Sequence, residues 1–324
     1  MPVTSPGLKG IVAATTRLSD VLGDEGILIY AGYDINELAG KVGYEEVVYL
    51  LWHDRLPNKS ELEKLKSDLR AARTLPAPIL DFLKHAPKDA NVMDILRTGV
   101  SMLGLYDHAP IGPQTPEQLL PRAISLTAKV GVIVAYFHRS RQGKDFPPIR
   151  TDLDEAAHFL YLLFGETPGP EAVKTLDLAY VLHADHGFNA STFSALVTVA
   201  TLSDIYSGVT TAIGSLKGPL HGGANEAVIH MLQEIGSPDK VDAWVHDKLA
   251  KKEKIMGMGH AVYKVLDPRA PHLKAMAVKL TQELGETKWV EMSERIAEIV
   301  KKEKNLNANV DFYSATVYYS LGIP

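Results

Sequence analysis

The 324-residue sequence contains no cysteine. Disulfides, thiolate metal sites and a cysteine nucleophile are therefore excluded. It also lacks a basic excess: 34 lysines and arginines against 39 aspartates and glutamates leave a formal charge of −5. No nucleic-acid partner is expected without a basic field, and an anionic ligand would need a local cationic pocket. No apolar run approaches the length of a membrane span. The opening Met1-Pro2-Val3-Thr4-Ser5-Pro6-Gly7 has neither a signal-peptide core nor an arginine-rich transit pattern. A cytoplasmic protein without membrane association is the expectation. Strand candidates are confined to Ile27-Leu28-Ile29-Tyr30 and Tyr33-Asp34-Ile35, enough for a short ribbon. No alternation of strands and helices, solenoid repeat or low-complexity segment stands out.

What is present reads as helix. With 46% hydrophobic and 23% charged residues, the chain has the composition of a soluble enzyme and the length for two domains, or one large domain with an appendage. Ser60 and Glu63 form a capping-box pattern ahead of Leu62, Leu65, Leu69 and Ala72, and Pro76 closes that segment. Thr115-Pro116-Glu117 opens a long apolar helix. Asp152 with Glu155 repeats the capping signature before a helix that Gly165 stops, and Pro170 suits a first helical turn. From Asn189 to Ser215 the small residues and scattered large apolar ones predict closely packed, buried helices. The fold class is all-α.

Chemistry concentrates in four places. In Lys217-Gly218-Pro219-Leu220-His221-Gly222-Gly223, an imidazole lies on a glycine turn where a helix begins, with Ala227, Val228, Met231, Leu232 and Ile235 at helical spacing. The positive helix end disfavours imidazolium, so His221 is suited to donate a hydrogen bond as a neutral group, and its glycines allow close approach. Such turns also occur as purely structural features. In His183-Ala184-Asp185-His186-Gly187-Phe188-Asn189 the histidines share a helix face. The HExxH spacing is absent and no third ligand is specified, so no metal is expected and hydrogen bonding or substrate binding is favoured.

The third segment, Lys254-Ile255-Met256-Gly257-Met258-Gly259-His260, contains part of a dinucleotide fingerprint, but no third glycine follows and no strand precedes. Around it Lys251, Lys252, Lys254, His260, Lys264, Arg269, His272 and Lys274 make a dense cationic stretch, which is either a ligand site or a solvated helix face. In the fourth, Asn309-Val310-Asp311-Phe312-Tyr313-Ser314, the aspartate sits among apolar neighbours. Burial would raise its pKa and make it a better proton acceptor; a helix N-cap is the competing explanation. Together these residues suit enolisation: a carboxylate removes a proton beside a carbonyl, one neutral histidine stabilises the oxyanion, and a second polarises an electrophile. They do not name the substrate.

At these residues the sequence resembles the citrate synthase family, specifically its short bacterial and archaeal branch. Segments His183 to Ser191, Ser215 to Glu226, Lys254 to Arg269 and Asn309 to Ser314 occur in the family's order and spacing. The opening Gly7-Leu8-Lys9-Gly10 and Tyr33 to Ala39 are also similar, so the likeness runs over essentially the whole chain. The resemblance implies a two-domain helical homodimer, here 1–222 as the large domain and 223–324 as the small one. It implies condensation of acetyl-CoA with oxaloacetate and hydrolysis of citryl-CoA to citrate and CoA, with the coenzyme A thioester a substrate and no tightly bound cofactor. Carried over, Asp311 is the base, His221 stabilises the enol and His260 polarises the ketone. His186 and Arg269 would bind oxaloacetate, a planar guanidinium engaging both carboxylate oxygens; Asn189 is a lesser candidate. Lys254, Ile255, Met256, Gly257, Met258 and Gly259 resemble the adenine loop of the CoA site, with Lys264 near the phosphates and Arg139 or Arg141 as further phosphate contacts.

Two departures qualify this picture. Ala261 stands where many short bacterial enzymes carry arginine, which implies a weakened or replaced CoA contact. The family also continues past the position of Pro324 with several dozen residues carrying two further dicarboxylate arginines, one of them reaching across the dimer. The expectation is greatly reduced activity for the 324 residues alone. Propionyl-CoA as substrate, giving 2-methylcitrate, and a non-catalytic dimer of the same fold are the alternatives.

Overall fold

Several helix starts in this chain are set by side chains that take up free N–H groups of the first turn. The computed structural model describes residues 14–108, 110–219, 221–260 and 262–324; the Gly7–Gly10 segment and Ala261 lie outside the described residues. Among the described residues a three-stranded antiparallel sheet comes first: β1 (Ser19–Leu22), β2 (Ile27–Tyr30) and β3 (Tyr33–Asp34), with Ser19 opposite Tyr30, Leu22 opposite Ile27 and Ile29 opposite Asp34. The sequence signalled β2 and β3 but not β1, whose four residues include only two apolar ones. Ile35, grouped above with a strand, instead begins α1 (Ile35–Leu38), because the Asp34 side chain accepts from Asn36 N and Glu37 returns to Asp34 N.

The remaining elements are helical: α2 (Tyr44–His53), α3 (Lys59–Ala71), α4 (Ala77–His85), α5 (Val92–Asp107), α6 (Pro116–Arg141), α7 (Glu155–Phe164) and α8 (Pro170–His183). These are followed by α9 (Ala190–Val199), α10 (Ile205–Leu216), α11 (Ala224–Ile235), α12 (Val241–Ala250), α13 (Ala270–Leu284), α14 (Lys288–Lys304) and α15 (Val310–Ser320). Thr115 caps α6 in a box with Gln118, Pro116 and Pro170 occupy first turns, and Gly165 ends α7 at φ 86°, as the sequence indicated. Two caps differ. The box on α3 is Asn58 with Glu61, two residues earlier than expected, and Ser60 Oγ merely donates to Asn58 Oδ1 at 2.8 Å. At α7 the N-cap residue is Asp154, which makes no side-chain cap bond. Cations have taken the carboxylates there: Asp154 pairs with Lys66 and Arg70, and Asp152 with Arg150. Two cations on one carboxylate hold it away from the helix N–H groups that it would otherwise cap.

Two large apolar clusters hold the fold. One gathers β2, α1, α2, α7 and α8 with α11 to α15, so it contains residues from both sides of position 222. The other joins α4 to α7 with α10. Fully buried side chains such as Phe137, Phe312 and Ile133 each contribute about 1.5–3 kcal/mol of burial free energy. Helix α6 is long and apolar enough to cross a bilayer by length and composition, yet it lies against α3, α4, α5 and α7. The 189–215 expectation fails in one respect. Helices α9 and α10 do pack tightly on each other, and α10 packs on α5, but α9 has no buried residue. Val197, Val199, Leu202 and Leu216 face outward.

Candidate active site

His260 is held by the chain that follows it. Its Nδ1 accepts backbone N–H groups from Val262 (3.0 Å) and Tyr263 (3.1 Å), which places the ring proton on Nε2 and leaves that nitrogen as a donor. Burial pushes its pKa below the ordinary histidine value; Asp267 opposes this, while Arg269 and Lys264 reinforce it. His186 lies edge-on to it, ring centroids 5.5 Å apart. The Nε2 of His186 lies 3.2 Å from the Tyr263 hydroxyl. Its pKa falls to about 3 through burial, with the nearby Arg269 and His260 adding to the drop.

Arg269 is almost wholly buried and grips Asp267, Nε to Oδ1 at 3.0 Å and Nη2 to Oδ2 at 2.8 Å. Burial works against both charges, but the pair prevails: Asp267 is held below the carboxylate range and Arg269 above its ordinary value. Among the described residues no protein acceptor is assigned to Arg269 Nη1, so that edge of the fork is available.

The 254–259 segment reaches this centre by pairing with the chain before α15. Gly259 N donates to Asn307 O (2.7 Å), Asn309 N to Gly257 O (2.9 Å) and Asn309 Nδ2 to Gly259 O (2.9 Å). Gly257 has φ 75°, and a Cβ there would lie 2.8 Å from both Phe312 and Val228 side chains. A glycine is thus required where the segment crosses α11 and α15. The cap of α15 is Asn309, which frees Asp311 from the capping role considered above; Asp311 sits in the first turn instead. Its pKa is raised by burial, with Arg269 pulling the other way and Asp267 adding to the rise.

His221 is two residues ahead of Gly223, the N-cap of α11. Its Nε2 lies 2.7 Å from Ser191 Oγ at the start of α9, and burial lowers its pKa. Helix α11, which begins just after His221, packs against α15, whose first turn carries Asp311. Gly222 N donates to Leu216 O (2.9 Å), so the glycine turn closes on the end of α10.

Other expected residues are placed less centrally. Asn189 is the N-cap of α9, its Oδ1 accepting from Ser191 and Thr192 N, which occupies it structurally. His183 is spent on Ala179 O (2.7 Å). Among the described residues no group of three or more metal-ligating side chains occurs. A cavity of about 230 Å³ is lined by Gly259, His260, Tyr263, Lys264, Asp267 and Asn307, among others. Of the cationic stretch, Lys251 and Lys274 are paired with Asp247 and Glu294, whereas Lys254 and Lys264 are exposed. Arg139 donates to Asp145 O and Leu163 O, tying α6 to α7 rather than standing free for phosphate. Ser191, Tyr263 and Asp267 were not singled out from the sequence. The signal for Asp267 was its spacing two residues before Arg269; the other two had none.

A family model described as "Citrate synthase, C-terminal domain" matches residues 7–324. The chain belongs to the citrate synthase family. It is 52% identical over 318 residues to citrate synthase 2 of Bacillus subtilis, covering 98% of this chain and 85% of that protein. It is 40% identical to the 2-methylcitrate synthase of Shewanella oneidensis, covering 99% of this chain and 85% of the relative. Among solved structures, the ternary complex of carboxymethyl coenzyme A and oxaloacetate with the citrate synthase of Thermoplasma acidophilum superimposes with a TM-score of 0.92. There the identity is 31%, with 99% of this chain and 85% of that one covered. The expectation of a predominantly helical, citrate synthase-like fold is met.

Proposed function

We propose that the chain is a citrate synthase, condensing acetyl-CoA with oxaloacetate and hydrolysing citryl-CoA to citrate and CoA. The observation that carries this reading is the protonation pattern of three groups, together with the packing of α11 on α15. Asp311 is a carboxylate with raised basicity, while His221 and His260 are neutral imidazoles. Asp311 takes a methyl proton from the thioester, and His221 donates to the thioester oxygen as the enol forms. The enol carbon attacks the oxaloacetate ketone, polarised by the Nε2–H of His260; the ketone oxygen becomes the hydroxyl of citryl-CoA. Water then cleaves the thioester, releasing CoA. His186 and the open edge of Arg269 bind the dicarboxylate. Lys254 to Gly259 and Lys264 receive CoA, which comes and goes as substrate and product.

The ternary complex of the Thermoplasma relative with carboxymethyl coenzyme A and oxaloacetate supports this assignment. A division into 1–222 and 223–324 and a cytoplasmic location are parts of the same proposal. So is a homodimer, supported by the apolar residues that α5, α9 and the turn before α10 leave exposed: Leu105 at 66%, Val197 at 53% and Leu202 at 49%. Sedimentation of the protein and of Leu105→Lys tests it, the variant being expected to shift toward monomer.

The likeness to 2-methylcitrate synthase favours a second reading with propionyl-CoA. One methylene separates the substrates by about 1–3 kcal/mol, so the two specificity constants are expected to differ by about 10- to 200-fold. Thiol release with each thioester decides between them. Oxaloacetate binding by calorimetry without any thiol release would instead favour the non-catalytic dimer.

A further inference from the structure

The turn of the N-terminal hairpin presses on the segment that orients His260. We propose that the β1–β2 hairpin is a positioning element for the site, with Gly23 seating Val262 to Lys264 so that two backbone amides stay aimed at His260 Nδ1. The inference rests on the citrate synthase reading for its kinetic consequences, but its geometry stands apart from it. Lys264 N donates to Gly23 O at 2.9 Å. A Cβ built on Gly23 would lie 2.4 Å from the carbonyl oxygen of Val262 and 2.9 Å from its carbon, both backbone atoms. No side-chain rotation relieves such a contact, so any larger residue forces the turn and the Val262 backbone apart. Gly26, at φ 71° on the same turn, is also close-packed, its Cβ position 2.7 Å from Val265 Cγ2 and 3.0 Å from Leu266 O.

Displacing Val262 acts directly on the histidine, because Val262 N and Tyr263 N are the two donors to His260 Nδ1. The other end of the hairpin holds His186. Ser19 Oγ accepts from Gly187 N at 3.0 Å, and the Tyr30 hydroxyl bridges Leu182 O and Asp185 N, each at 3.3 Å. The hairpin therefore touches the carriers of both rings of the His186–His260 pair.

Gly23→Ala and Ser19→Ala test this, with thermal unfolding as a check on folding. For Gly23→Ala, kcat/KM is expected to fall about 10- to 100-fold, as for a sub-ångström misplacement. The acid limb of its pH profile should move to higher pH, because loosened amides no longer occupy Nδ1. The charged and titratable groups facing that ring are His186, Tyr263, Lys264, Asp267 and Arg269, all retained in the variant. Parent kinetics and an unshifted profile in folded Gly23→Ala would overturn the proposal. Where that variant does not fold, Ser19→Ala gives the answer: KM for oxaloacetate is expected to rise about fivefold with kcat retained, the loss of one hydrogen bond, and an unchanged KM overturns the proposal. A parent protein that releases no thiol defeats the citrate synthase reading alone. NMR titration of His260 then reads the contact without turnover: a higher pKa in Gly23→Ala supports the seat, and an unchanged one refutes it.

Discussion

Two buried arginines show how the same pairing serves opposite ends. Arg73, inaccessible to solvent, places Nε and Nη2 on Glu155 and Nη1 on the carbonyl of Arg150, so all three nitrogens are spent inside the protein. Around it stand Glu45, which accepts Glu155 N at 2.8 Å, and His158, driven to about 3 by burial, with Arg73 and Arg150 adding to the drop. Arg269 also sets Nε and Nη2 on one carboxylate, reaching both oxygens of Asp267 where Arg73 holds a single oxygen of Glu155, and among the described residues no protein acceptor is assigned to its third nitrogen. Its neighbours are His186, His260 and Asp311 rather than the backbone of a packed loop. A closed hydrogen-bond inventory marks a brace between elements. An open one, beside groups whose protonation burial has shifted, marks a place for a ligand.

The largest effect that separates the two is on stability. Arg73→Ala leaves Glu155 buried without its partner, and about 3–5 kcal/mol should be lost in denaturant unfolding, while activity per folded molecule persists. Equal stability of variant and parent would break the distinction. Arg269→Lys keeps the charge but loses the fork, so about 1.5–3 kcal/mol of binding should vanish, read as a 10- to 100-fold rise in KM for oxaloacetate. A smaller change is spread over pH. Burial raises Glu155 from the ordinary 4.5 to about 7 despite Arg73. Its folded form thus holds a proton that the unfolded chain has released, and the stability it confers is complete below about 4.5 and lost as pH rises through about 7. Glu155→Gln should flatten that part of the stability–pH curve, measured by urea unfolding at successive pH values.

Much of the site was legible because its chemistry sits on local signals. The glycines around His221 and His260 marked turns, and the apolar flanks of Asp311 foretold its burial and raised pKa. What escaped was non-local. Asp267 becomes visible only when Arg269 is found folded back on it, and the Ser191–His221 contact joins residues 30 apart. Asn189 was read for binding although its side chain caps α9, since capping and ligand-binding asparagines look alike in sequence. Helices α9 and α10 were expected to be buried from composition, which cannot distinguish a core from an apolar outer face. The displaced cap at α7 has the same origin: Asp154 was drawn to Lys66 and Arg70, which lie more than 80 residues away.

The central claim is that Asp311 is the base and acts together with two neutral histidines, and oxaloacetate-dependent thiol release from acetyl-CoA measures it most directly. Parent protein and Asp311→Ala should be compared at equal folded concentration. The account predicts that kcat of the variant drops by about 10²- to 10⁴-fold, with oxaloacetate still bound. An Asp311→Ala protein that turns over like its parent would contradict it.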